Sequence, residues 1–350
     1  MRIAQVAPLT ESVPPTGYGG TERVVSYLTD KLVDMGHEVS LFASGDSITR
    51  ANLIAPTPVA LRHQPQVIDP ISHIFYMLEL VQQLKDQFDF IHYHVDYFHF
   101  PFSRRNRIAQ CTTLHGRLDI PDLKVLFKEF AEMPLISISN SQRKPMPFSN
   151  FVKTIYHGIP PHLFKLNENP GKYLAFVGRI SPEKRLDRAI EIAKTTGIPL
   201  KVAAKIDRVD VEYYENQIKP LIDHPLVEFI GEINDAGKSD FLGNACALLF
   251  PIDWPEPFGL VMIEAMACGT PVIAFNCGSV PEVIDEGKTG FIVNSIEEAV
   301  NRVNNIEVID RRLCRQVFEE RFTDQRMANE YLQVYNELIK EINFKKPMVL

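Results

Sequence analysis

Two glutamates eight residues apart, Glu256 and Glu264, are the pair in this chain best placed to do chemistry. Glu256 falls in the Pro-rich loop 253–258 that follows an apolar strand, and Glu264 lies within the helix which that loop opens. A helix beginning near Gly259 would point its first backbone N–H groups, with the positive end of its dipole, at an entering anion. One carboxylate above such a site and one below it could bracket a phosphorylated polyol. Taken singly, each glutamate reads as easily as a solvated side chain; the surrounding residues favour the bracket. Arg179 and Lys184 flank a helix start at Pro182, and an Arg fork beside a Lys point charge suits phosphate oxygens. The same stretch is also an ordinary helix start, capped by Ser181 with Pro182 in its first turn, and both readings can hold together.

Other candidates stand in the first half. His115 follows a strand at 111–114, at the carboxyl end where ligands of a parallel sheet gather. Gly19 and Gly20 mark a loop whose backbone can approach a ligand closely, and Glu22 sits at the start of the next helix. Gly17–Gly20 lacks the Gly-x-Gly-x-x-Gly spacing of a dinucleotide site, which argues against NAD. His92 and His94 share a strand face with Asp96 and His99 nearby. Period-2 histidines with aromatics between them read as the end of a half-buried strand rather than a metal site.

The elements that must position these residues alternate as strand and helix. A strand at 2–8, the Gly-containing loop, a helix carrying Val24, Val25, Leu28, Leu32 and Val33, and a strand at 39–42 make one βαβ unit. Further elements follow: a helix at 74–84 and strands at 90–93, 111–114 and 135–139. The same order restarts with a strand at 173–177, a helix from Pro182 to about Thr195, and strands at 200–203, 227–230, 247–250 and 272–275. The Gly/Pro stretch 156–161 reads as a linker, and Met327, Tyr331, Val334 and Leu338 predict a long closing helix. The expected class is α/β: two doubly wound Rossmann-like domains facing a cleft, 1–157 joined by about 325–350, and 158–324.

Composition narrows the partners. At 350 residues the chain exceeds what one core usually supports. Its net charge of −7 argues against a dedicated nucleic-acid binder. Residues 1–157 are charge-neutral and hold eight of the ten histidines, so the acidic surplus lies wholly in the second half. Five scattered cysteines without CxxC fit reduced thiols. With neither a signal peptide nor a spanning segment legible, the expected location is cytoplasmic, at most peripheral at the inner face of the membrane.

The frame Pro255-Glu256-Pro257-Phe258-Gly259-Leu260 … Glu264-Ala265-Met266-Ala267-Cys268-Gly269-Thr270-Pro271, followed by Gly278-Ser279-Val280-Pro281-Glu282, resembles the retaining glycosyltransferases of family 4, the group 1 glycosyltransferases of GT-B architecture. Gly19-Gly20-Thr21-Glu22, Thr113-Leu114-His115-Gly116 and Val177-Gly178-Arg179 … Glu183-Lys184 match three further elements of that family in the same order. The resemblance implies a nucleotide-sugar donor, a UDP-sugar before a GDP-sugar, with no metal and no other cofactor. It implies a sugar, polyol or lipid-linked acceptor and a closing helix that crosses back to the first domain. Arg179 and Lys184 would stabilise the leaving diphosphate, Glu256 would contact the sugar and Glu264 the ribose. The N–H groups of Phe258, Gly259 and Leu260 would hold the sugar, and those of Val261 and Met262 the phosphates. His115 would meet the donor sugar, the loop of Gly19, Gly20 and Glu22 would lie against the phosphates and the acceptor, and His94 would edge the acceptor pocket. No Asp-x-Asp stands at a strand end to carry a divalent ion.

The implied reaction transfers a hexosyl group, glucosyl from UDP-glucose being favoured, with retention, in polysaccharide, glycolipid or small-glycoside synthesis. The alternatives are a retaining phosphorylase or synthase of the same fold and a sugar-nucleotide or glycan binder without turnover. Two features depart from the family: Arg185 stands where a glycine often follows Glu-Lys, and 205–210, expected near the base pocket, matches no pattern. The loops 43–75 and 94–130, with Arg104, Arg105 and Arg107, are where an acceptor pocket is expected.

Overall fold

The computed structural model of the chain describes residues 1–169 and 171–345. Two compact units emerge: Met1–Gly158 together with the described residues from Asp324 onward, and Ile159–Thr323.

The first unit is built on a parallel sheet of β1 (Arg2–Val6), β2 (Glu38–Phe42), β3 (Asn52–Ile54), β4 (Phe90–Tyr93), β5 (Ala109–Thr113), β6 (Leu135–Ser137) and β7 (Phe151–Thr154). Its spatial order is β3-β2-β1-β4-β5-β6-β7. Every residue of β4 and β5 is buried, as a parallel strand covered by helices on both faces requires. The helix Gly20–Asp34 buries Val24, Val25, Leu28 and Leu32, and Gly36 in the left-handed region (φ 82°) turns the chain toward β2.

The second unit repeats the plan with β8 (Tyr173–Arg179), β9 (Leu200–Lys205), β10 (Val227–Gly231), β11 (Ala245–Phe250), β12 (Val272–Phe275) and β13 (Gly290–Val293), ordered β10-β9-β8-β11-β12-β13. Its strand order reverses between β8 and β11, the place where doubly wound sheets take their ligands. Arg179 is the last residue of β8, and β11 runs into the loop that carries Glu256.

The helix Asp324–Lys345 returns to the first unit. Met327, Tyr331, Val334, Tyr335 and Leu338 are buried, Tyr335 stacks on Phe90 at 4.2 Å between ring centres, and Lys31 pairs with Asp324 at 3.0 Å.

Three strands, β3, β7 and β13, are absent from the pattern-based reading, and all three lie at sheet edges with only three or four residues each. The helix expected continuously from Pro182 is interrupted. A single turn, Pro182–Lys184, is followed by Arg185 in the left-handed conformation (φ 53°), and the α-helix proper spans Leu186–Thr196. Arg185 thus occupies the backbone conformation that glycine takes without strain, and ion pairs to Asp187 (2.7 Å) and Asp253 (2.8 Å) hold its side chain.

Candidate active site

The loop after β11 reaches the helix Leu260–Ala267 through Gly259, whose φ of 82° favours glycine. A Cβ there would stand 2.8 Å from the Met262 methyl and 3.0 Å from the Phe250 ring. Gly278 supports the loop from the other side: a Cβ on it would lie 2.3 Å from the Glu256 nitrogen. Ser279 follows, its N–H donating to the Glu256 carbonyl (3.0 Å) and its hydroxyl to the Phe258 carbonyl (2.8 Å). The Gly278-Ser279 turn therefore fixes the height of Glu256 above the helix start.

The site residues of this unit are organised as cation–carboxylate pairs. Lys184 donates to Glu256 Oε2, which also accepts from Trp254 Nε1 at 2.9 Å, while the Lys184 ammonium sits 5.1 Å from the Trp254 ring centre. Arg179 is held between Glu183 and Asp210, the latter at 3.3 Å from its Nε. Burial lifts the Asp210 carboxyl above the ordinary carboxylate range, with Arg179 pulling it the other way. Glu264 is buried and accepts from Lys238 Nζ at 2.9 and 3.2 Å. In the first turn, Leu260 and Val261 N–H make no backbone hydrogen bond among the described residues, whereas Met262 N–H donates to the Gly259 carbonyl at 3.0 Å. Met262, expected at the phosphates together with Val261, thus has its N–H engaged in closing the turn.

The candidates of the first unit form a different kind of assembly. Gln5 on β1 donates from Nε2 to the Tyr335 hydroxyl (3.2 Å) and accepts from His94 Nε2 (2.8 Å). With Nε2 as its donor, neutral His94 accepts at Nδ1 from His115 Nε2 at 2.9 Å. His92 bridges Tyr335 and Thr113, both at 2.7 Å. His99 bridges Ser103 and Thr112, both at 2.6 Å, so these histidines serve separate hydrogen bonds rather than one metal. Burial pushes His92, His94, His99 and His157 well below the ordinary histidine range and His115 down to about 3. His94, expected at the edge of an acceptor pocket, is buried with both ring nitrogens bonded, one to Gln5 and one to His115. Glu22 lies buried just inside the helix that Gly19 caps and Gly20 opens, and burial lifts its carboxyl above the ordinary range against local backbone N–H groups. Arg104 is committed to Glu129 and Glu132, each at 2.6 Å, so the basic turn 104–107 does not present three unpaired cations.

Sequence reasoning missed Lys238, Asp210, Trp254, Gln5 and Tyr335. Trp254, the one tryptophan of the chain and two residues from Glu256, was the available signal. Lys238 and Asp210 reach their partners from separate elements, and no local spacing marks them.

The parallel order of both sheets and the position of the switch points define the GT-B class, and known proteins agree. The Glycosyltransferase Family 4 model matches residues 18–162, and the model for Glycosyl transferases group 1 matches residues 160–317. HepE of Anabaena, solved in complex with UDP-glucose, superposes with a TM-score of 0.73 at 17% identity, covering 96% of this chain and all of that one. An uncharacterized glycosyltransferase of Methanocaldococcus jannaschii is 25% identical over 95% of this chain and 97% of its own. With an uncharacterized 41.2 kDa protein of the cps region of Klebsiella pneumoniae, the chain is 28% identical but spans only about half of that relative, 55% of its length. The chain belongs to the group 1, family 4 glycosyltransferases.

Proposed function

We propose that the chain transfers a glucosyl group from UDP-glucose to an acceptor hydroxyl with retention of anomeric configuration, without a metal ion. The observation that carries this reading is the set of charged pairs at the carboxyl ends of β8 and β11, Lys184–Glu256 and Arg179–Glu183/Asp210, beside the N–H groups of Leu260 and Val261, which make no backbone hydrogen bond among the described residues. A diphosphate gains negative charge as its bond to the sugar breaks, and fixed cations there stabilise the transition state more than the ground state. In the step proposed, the bond from the anomeric carbon to the phosphate oxygen breaks, and the bond to the acceptor oxygen forms on the same face. The acceptor proton passes to the departing phosphate oxygen. Arg179 and Lys184 stabilise that oxygen, Glu256 accepts from a sugar hydroxyl, and Glu264 accepts from the ribose. His115, oriented by His94 and Gln5, meets the donor sugar. HepE, solved with UDP-glucose, supports the choice of donor.

No helix among the described residues is long and apolar enough to cross a membrane. Exposed Ile68, Ile71, Phe75 and Tyr76, on and just before the helix Pro70–Leu84, favour a lipid-linked acceptor met at a membrane surface. A donor screen following UDP or GDP release, run with and without EDTA, tests donor and metal together, and NMR of the product reports the anomer. Release of GDP alone, activity lost to EDTA and restored by Mg²⁺, or an inverted product would each overturn the corresponding part. Turnover with inorganic phosphate as the acceptor would indicate a phosphorylase, and no donor cleavage with any acceptor would indicate a binding protein.

A further inference from the structure

Glu264 is the most deeply buried carboxylate of the second unit's candidate site, 2% exposed on a helix whose neighbours are mostly apolar. A carboxylate taken out of water reverts to the neutral acid unless a cation or several donors hold it ionised. Among the described residues its one hydrogen-bond partner is Lys238, which covers both oxygens from the neighbouring helix Asp235–Gly243. That helix is anchored at its start, where the Asn234 side chain accepts from Gly237 N–H at 2.9 Å.

The other charged groups around Glu264 are engaged elsewhere. On the helix Arg311–Arg321, Arg311 donates to the carbonyls of Asn167, Gly243 and Ala245 and to the Thr270 hydroxyl, and Arg315 to those of Phe164, Pro161 and Ala267. Asp240, on the helix of Lys238, is exposed. Burial pushes the Cys268 thiol up to about 12 and raises that of Cys246 on β11, so both are neutral near pH 7. β12 carries no titratable side chain.

We propose that Lys238 is a positioning residue for the nucleotide: it keeps Glu264 ionised and in one rotamer, so that the carboxylate can accept from the two hydroxyls of a ribose. This rests on the assignment of Glu264 to the ribose made above. A carboxylate offers about four lone-pair directions and Lys238 occupies two of them, which leaves capacity for a vicinal diol. A protonated Glu264 would present a donor where the diol needs an acceptor, so nucleotide affinity depends on the Lys238 charge without Lys238 having to touch the ligand.

The test measures the dissociation constant of UDP for the full chain between pH 6 and 9, in wild type, Lys238→Met, Lys238→Gln and Lys238→Arg. Wild type and Lys238→Arg should bind UDP with little change across this range. In Lys238→Met, binding should weaken about tenfold or more near pH 6 and recover toward wild type as pH rises and Glu264 ionises. Lys238→Gln, which keeps a donor without the charge, should follow the same trend and serves where the methionine variant fails to fold. ¹³C NMR of the Glu264 carboxyl, with Glu264→Gln to assign it, reads the ionisation in the absence of nucleotide. An ionised Glu264 at pH 6 in the charge-free variants, or UDP affinity in them that is weakened equally at all pH values or not at all, overturns the proposal. Wild type that fails to bind UDP overturns the ribose assignment instead, leaving the carboxyl measurement to judge the pair.

Discussion

The candidate residues of the two units differ in chemistry. In the second, the candidate side chains are charged, each cation set against a carboxylate: Lys184 with Glu256, Arg179 with Glu183 and Asp210, Lys238 with the buried Glu264. In the first, they are imidazoles, hydroxyls and an amide bonded to one another, Gln5, His92, His94, Thr113, Tyr331 and Tyr335 buried and His115 half-buried. A paired-charge site can answer a diphosphate, because the incoming anion competes for cations already in place. A neutral network fixes orientation and suits hydroxyl groups, whose recognition depends on the direction of hydrogen bonds. The uneven distribution of charge and histidine along the sequence is the outward sign of this division.

Acid should break the comparison most strongly. Six histidines of the first unit, His37 among them, have folded-state values pushed below the ordinary 6.5, mainly by burial. Below about pH 6.5 these sites therefore bind more protons in the unfolded chain than in the folded one, offset in part by Asp96, whose carboxyl burial raises to about 6. Their stabilising contribution is complete above that pH and is lost as the pH falls toward the folded-state values, about 3 for His115. Each ring costs up to about 1.4 kcal/mol per pH unit in this window, so the first unit should lose several kcal/mol between pH 7 and 5. Urea unfolding followed by hydrogen exchange should show the first unit opening before the second on acidification. Simultaneous opening would mean that the histidines do not set the difference.

Removing the cations tests the other side. Arg179→Ala and Lys184→Ala should each lower kcat with UDP-glucose by about 10²-fold or more, the usual cost of one preorganised transition-state donor, and weaken UDP as well. A double variant with near-normal turnover and donor binding would place the phosphates elsewhere.

The carboxylates should separate in steady-state kinetics. Glu264→Ala should mainly raise the donor KM, since a ribose contact is made equally in ground and transition states, and Glu256→Ala should mainly lower kcat. Removing Glu256 also removes the acceptor of Lys184 and of Trp254 Nε1, so the two carboxylates differ in what they hold. Wild-type kinetics in both variants would refute the assigned roles.

The smallest effect is expected at Arg185. Arg185→Gly relieves about 1 kcal/mol of left-handed strain and gives up partly exposed ion pairs to Asp187 and Asp253, each worth at most about as much. Thermal unfolding should show a Tm level with wild type or slightly higher. A clear drop would show that the ion pairs dominate the turn.

The repeated βαβ plan and the pair Glu256 and Glu264 were legible because their signals are local: apolar periodicity, glycines at turns, and carboxylates at fixed spacing on one loop and helix. Edge strands of three or four residues are too short to establish a period. The break at Arg185 was hidden because the residue before Leu186 is not the glycine that usually announces a left-handed turn. The partners that complete the site, Lys238 for Glu264 and Asp210 for Arg179, come together only when separate elements pack, at separations of 26 and 31 residues. The histidine network escaped for the same reason, since Tyr335 joins His92 across 243 residues.

That last contact bears on the order in which the protein can be made. The first unit is assembled from both ends of the chain, while the second is one uninterrupted stretch, Ile159–Thr323. During synthesis the sheet of the first unit leaves the ribosome early, yet Phe90, His92 and Thr113 stay without Tyr331 and Tyr335 until the last helix emerges. The unit translated second is thus the one able to complete its core first. A nascent chain arrested before Asp324 should hold a finished second unit beside a first whose aromatic and histidine surfaces still need shelter, and this interval is when a chaperone has most to offer.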